Sequence, residues 1–99
     1  MYVVREVLNC KPGQVRPMVE KFKAISTTMR EMGHEPFRVL TDATGGPFWT
    51  LIAETTVKTI DEFFAMENRL MANEGLRTAM AGYHDLVTSG RREIYRVES

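Results

Sequence analysis

Apolar residues recur along the chain in two rhythms, and the switches between them mark out the elements. Residues 2–9, Tyr-Val-Val-Arg-Glu-Val-Leu-Asn, are dense in β-branched and large apolar types and predict a strand. Lys11, Pro12 and Gly13 then punctuate the chain. From Gln14 to Met32 the positions Val15, Met18, Val19, Phe22, Ile25, Met29 and Met32 form one stripe at helical spacing. Gly33 ends that helix, and Pro36 keeps it from restarting. A short strand over Phe37–Thr41 follows. Asp42 to Pro47 reads as a turn, because glycine admits positive φ and Asp42 can bond its own backbone. Phe48–Val57 is the most β-prone stretch and predicts a third strand.

Thr59-Ile60-Asp61-Glu62 has the form of a capping box, with Ile60, Phe63, Phe64, Leu70 and Met71 behind it at helical spacing. Asn73 and Gly75 interrupt the pattern, which resumes through Leu76, Met80, Tyr83 and Val87 until Ser89-Gly90. Arg92–Val97 alternates and predicts a last strand. The order β-α-β-β-α-β predicts an α+β, ferredoxin-like sandwich over residues 1–99, a four-stranded antiparallel sheet with its helices on one face. Both parities of the strands are substantially apolar. Tyr2, Val4 and Leu8 oppose Val3 and Val7, and Trp49, Leu51, Ala53 and Val57 oppose Phe48 and Ile52. One layer of helices covers one face only. A partner subunit is the simplest second cover, so a homodimer is expected.

Composition narrows the partners. Thirteen basic residues balance thirteen acidic ones, which removes the electrostatic footprint of a dedicated nucleic-acid binder or of a protein that works on a membrane surface. The longest uncharged run, between Ala43 and Ala53, holds Gly45, Gly46 and Pro47 and is too short to span a bilayer. The N-terminal segment alternates and carries Arg5 and Glu6, unlike the apolar core of a signal peptide. With a single cysteine, Cys10, the chain suits a reducing cytoplasm and cannot close an internal disulfide or a cysteine-built metal site. No phosphate loop, paired-acid motif or ligand cluster stands in the sequence, and no cofactor is expected.

Five residues stand out as candidates for chemistry. Glu6 shares parity with Val4 and Leu8 and should point into an apolar space under the helices. Desolvation there would raise its pKa and suit it to act as a base, unless a partner pairs with it. His84 could exchange a proton near neutral pH, or simply bond the last carbonyls of its helix. Trp49, on the parity of Leu51 and Ala53, could be a stacking wall or ordinary core. Tyr83 and Met80 could line the same space or pack, as the other helical methionines do. Arg5 and Glu54 lie on the opposite parity and could form an ion pair there.

In the order and spacing of its patterns the chain resembles the dimeric α/β-barrel superfamily, which includes antibiotic-biosynthesis-type monooxygenases, haem-degrading monooxygenases and NIPSNAP-like proteins. The resemblance rests on the opening strand running into Lys11-Pro12-Gly13-Gln14, on Thr59-Ile60-Asp61-Glu62-Phe63, and on Glu74-Gly75-Leu76-Arg77-Thr78-Ala79-Met80. It implies two sheets joined into a dimeric barrel, each subunit holding a cleft for a small apolar or aromatic molecule. Haem-degrading members use an Asn and a His where this chain has Glu6 and Met80, with His84 one turn on, and these departures count against haem degradation. The resemblance therefore implies a cofactor-independent monooxygenase acting on an aromatic substrate, with Glu6 or His84 as base and Trp49, Tyr83 and Met80 around the substrate. The alternative it leaves is a non-catalytic NIPSNAP-like or stress-responsive binding module, and a haem-binding protein, which needs His84 or Met80 to face the cleft, stands third.

Overall fold

The computed structural model describes residues 1–99. The chain runs β1 (Tyr2–Cys10), α1 (Val15–Glu31), β2 (Arg38–Thr41), β3 (Thr50–Val57), α2 (Ile60–Met71), α3 (Glu74–Met80), a 3-10 turn (Tyr83–Leu86) and β4 (Val87–Arg96). The strands form one antiparallel sheet in the order β2-β3-β1-β4, the ferredoxin-like arrangement expected from the sequence. Even-numbered residues of β1 face the helices. Val4 packs in the core with Leu51, Ala53 and Val57 of β3, Met18, Phe22 and Met29 of α1, and Phe63 and Met66 of α2. The layers are thin: the molecule measures 36 × 35 × 17 Å along its principal axes.

Local chemistry sets most of the boundaries. Thr59 Oγ1 accepts the Glu62 N–H at 3.1 Å and opens α2, as its capping pattern predicts. Asn73 does the same for α3 through Leu76 N–H at 2.9 Å, so the expected break between the two helical pieces is a new N-cap. Asp42 Oδ1 accepts the Thr50 N–H at 2.8 Å and closes the β2–β3 turn. Two buried hydroxyls fasten the α1–β2 connection. Ser26 donates to the Phe37 carbonyl, and Thr55 donates to that of Glu35.

Three boundaries differ from the sequence expectation by more than one residue. The helical piece after Asn73 does not run to Val87: Gly82 takes φ +83°, a left-handed turn that an α-helix cannot absorb, and α3 ends at Met80. Val87–Gly90 consequently belongs to β4, which starts five residues before Arg92. Gly90 faces Leu8 so closely that a Cβ there would lie 2.8 Å from Leu8 Cδ2, which explains a glycine inside a strand. The third strand starts at Thr50 rather than Phe48, because Trp49 has φ +64° and breaks the alternation of faces.

The helix-free face is also less apolar than the strand parities suggest. Val7, Ile52 and Val3 lie on it, but a row of charge crosses between them. Arg38, Glu54, Arg5 and Glu93 are register neighbours across the four strands. Arg5 reaches Glu54 at 3.0 Å and Glu93 at 3.8 Å, and Arg38 reaches Glu54 at 2.6 Å. The expected Arg5–Glu54 pair is thus the centre of a longer row. Hydrogen bonding from Arg38, reinforced by Arg5 against the cost of burial, holds the Glu54 carboxyl below its ordinary pKa.

Candidate ligand cleft

Sheet and helices do not close completely on each other. Between them lies a cleft of about 610 Å³, within the usual range of small-molecule sites. Eleven of its seventeen lining residues are hydrophobic. Leu8 comes from β1, Phe22 and Ile25 from α1, Phe63 and Leu70 from α2, and Leu76 and Met80 from α3. Phe37, just before β2, meets Phe22 with ring centroids 6.0 Å apart, so aromatic surface lines one side of the space.

Four of the five candidates from the sequence line this cleft: Glu6, Met80, Tyr83 and His84. Glu6 arrives from the sheet, on the helix-covered parity that alternation assigns it. The Gly82 turn redirects the chain so that Tyr83 and His84 return to the cleft. Their ring centroids lie 3.9 Å apart with the planes tilted by 34°, Tyr83 half-buried and His84 exposed. Trp49 does not join them. Its left-handed backbone turns it away from the face it was expected to share with Leu51, and it stands 42% exposed beside the almost fully exposed Phe48. The Trp49 carbonyl still accepts the Cys10 N–H at 2.8 Å, so its place is the end of the sheet. His34 lines a separate hollow of 170 Å³.

Two residues that the sequence pattern did not single out, Arg92 and Glu67, organise the polar part of the cleft. Arg92 of β4 lies directly opposite Glu6 in the β1–β4 register. Its Nε donates to Glu6 Oε1 at 2.5 Å, while Nη1 and Nη2 donate to the two carboxylate oxygens of Glu67 on α2. The guanidinium stands 5.0 Å from the centroid of Phe63, adding a cation–π contact. The pattern held a signal for Arg92: it shares parity with Ile94, which packs against the core, and so had to face the helices too.

Burial pushes the Glu6 carboxyl above its ordinary pKa. The hydrogen bond and charge of Arg92 pull the other way without cancelling that effect, and Glu67 adds to it. Burial works against the charge of Arg92, but hydrogen bonds to Glu67 and Glu6 outweigh it and raise its pKa. No protein group donates to Glu6 Oε2, and no buried polar side-chain atom lacks a partner, so Oε2 is accessible and free to accept a hydrogen bond on a residue that lines the cleft. A raised carboxylate with one free oxygen in an apolar space is chemically a proton acceptor. Groups of three or more metal-ligating side chains are absent from the chain, and no helix is long and apolar enough to cross a membrane.

No protein-family model matches the sequence, and no curated protein matches it either. Solved structures do match. A NIPSNAP family protein of unknown function from Agrobacterium tumefaciens superposes with a TM-score of 0.81 at 13% identity, over 98% of this chain and 87% of that one. An uncharacterized NIPSNAP domain protein from Burkholderia xenovorans gives 0.78 at 11% identity, over 100% and 96%. A protein named as a candidate antibiotic biosynthesis monooxygenase from Nitrosomonas europaea gives 0.76 at 18% identity, over the full length of both chains. The chain has the fold of NIPSNAP and antibiotic-biosynthesis-monooxygenase-like proteins. At these identities the likeness is one of fold, and the NIPSNAP-like and monooxygenase-like relatives are compatible with both an enzyme and a binding module.

Proposed function

We propose that the protein binds a small apolar, aromatic molecule in the cleft and acts on it as a cofactor-independent monooxygenase. The observation that carries this reading is Glu6: a carboxylate with a raised pKa and one uncommitted oxygen, in an otherwise mainly hydrophobic space. Glu6 Oε2 takes the hydroxyl proton of the bound substrate, and the anion adds dioxygen at a ring carbon that bears hydrogen. The proton returns from Glu6 to the peroxide, and loss of the ring C–H proton with O–O cleavage leaves one oxygen as a ring carbonyl and releases the other as water. The walls exclude water and fix the ring plane, and Tyr83 and His84 stand on the same cleft as further proton-carrying groups. The cleft works in a homodimer, with the helix-free sheet faces of two subunits packed together in the reducing cytoplasm.

A non-catalytic binding module is the second reading, and one observation favours it: Glu6 is held in an ion pair with Arg92. Oxygen consumption with an oxidisable hydroxylated aromatic separates the two. The enzyme reading expects turnover that Glu6→Gln abolishes, with ligand binding retained and the melting temperature unchanged or higher. Binding without oxygen uptake in the wild type leaves the module.

A further inference from the structure

The polar side of the cleft is unusual in its charge balance. Arginine in a binding site commonly signals a carboxylate or phosphate ligand, because its fork of donors fits those groups. Arg92 has no complete fork left for that. Three of its five N–H groups are engaged, one by Glu6 and two by Glu67, and its face is directed at Phe63, which leaves one single N–H on each Nη. The cluster therefore sums to one negative charge. The atom it leaves open is Glu6 Oε2, an acceptor.

We infer that the cleft selects its ligand by head group, taking an aromatic molecule whose polar end donates a hydrogen bond and rejecting the same ring system bearing a carboxylate. The inference rests on the cleft being a ligand site, as proposed above, and adds the polarity of what enters it. A hydroxyl or amino hydrogen can be given to Oε2 while the ring lies against the apolar walls. A carboxylate would place a like charge beside Glu6 and Glu67, and Arg92 could grip it with a two-donor fork only by giving up a partner. Arg77 and His84 are the other basic side chains on the cleft. Both are exposed, and the charge of Arg77 is spread into water and does not offset the cluster at close range.

The arrangement makes an inverse prediction. Neutralising the two carboxylates sets Arg92 free, and the site should then prefer the anion. Calorimetric titration at pH 7 with naphthalene, naphthol and naphthoate, the latter two substituted at the same ring position, tests both directions. Wild type should bind naphthol at least about tenfold more tightly than naphthoate, since like charges at close range cost that much or more. Glu6→Gln combined with Glu67→Gln should narrow or reverse the ratio, and Glu67→Gln alone should move it the same way. Arg77→Met, which removes an exposed charge, should move it less than the glutamate substitutions do. Naphthoate binding as well as naphthol in the wild type overturns the inference, as does a ratio that shifts with Arg77→Met but not with the glutamates. Naphthalene binding in those cases leaves the cleft reading standing. Failure of all three molecules to bind removes the cleft reading and the inference with it.

Discussion

Replacing Arg92 by methionine tests whether the cleft's polar cluster depends on its single cation. Methionine keeps length and polarisable contact over Phe63 but deletes the cation and its three hydrogen bonds. Two carboxylates then face each other without a counter-charge, Glu6 at 17% side-chain exposure and Glu67 at 30%. Leaving a hydrogen-bonded charged group without its partner costs about 1–3 kcal/mol, toward the lower end where water still reaches it. Two such groups put the loss at about 2–4 kcal/mol, which in a domain of this size lowers the melting temperature by roughly 10–25 °C. The penalty must also depend on pH. Burial already raises the Glu6 pKa, and loss of Arg92 removes the two influences that lower it. A carboxyl whose folded pKa lies above its unfolded value costs stability as pH rises through the interval between them. The difference between variant and wild type should therefore be full near pH 8 and shrink toward pH 4. Urea denaturation followed by far-UV circular dichroism across that range reads it directly. A penalty that stays flat with pH, or falls below about 0.5 kcal/mol throughout, refutes the dependence of both carboxylates on Arg92.

Glu54→Gln should show the opposite pH behaviour. The Glu54 carboxyl is held low by Arg38 and Arg5, so its contribution is present above the unfolded pKa and is lost as pH falls through the folded one. Denaturation should show the variant less stable than wild type at pH 7 by about 0.5–1.5 kcal/mol, and equal to it in strong acid. Phe63→Ala, at a side chain 1% exposed that belongs to both core and cleft, should cost about 3–5 kcal/mol and abolish naphthol binding at temperatures where the variant remains folded. Sedimentation equilibrium at micromolar concentration should give twice the chain mass of 11.3 kDa, and a monomer there would refute the proposed dimer.

What the sequence revealed and what it hid divide along a physical line. Period-two parity placed Glu6 under the helices beside Val4, and it does line the cleft there. Parity is local, fixed by the pleat of a single strand. Arg92 was harder to find because its partnership with Glu6 depends on the register between strands 86 residues apart, which no local pattern encodes. Trp49 misled for a related reason. Alternation holds only while the backbone stays extended, and a left-handed bulky residue is too rare to expect. The end of α3 was half legible: apolar spacing carries on through Tyr83, but Gly82 stood in the sequence as a point where a left-handed turn costs nothing.

The charged row on the helix-free face bears on how two copies could meet. An apolar sheet face alone would accept a partner in many registers. Across β2, β3, β1 and β4 the row reads Arg38, Glu54, Arg5, Glu93, alternating in sign. A two-fold axis lying along the strands reverses that row and sets every basic residue opposite an acidic one. An axis along the row itself would stack like charges. An isologous interface built on this face is therefore self-complementary in one of those two orientations only. Removing such charges from water costs much of what their attraction returns, so the row contributes orientation more than affinity. Affinity has to come from Val3, Val7, Leu40, Ile52 and Tyr95, which occupy the rows on either side. Only 18 of 99 residues are buried within the single chain, so a second cover over those side chains would add substantially to a small core.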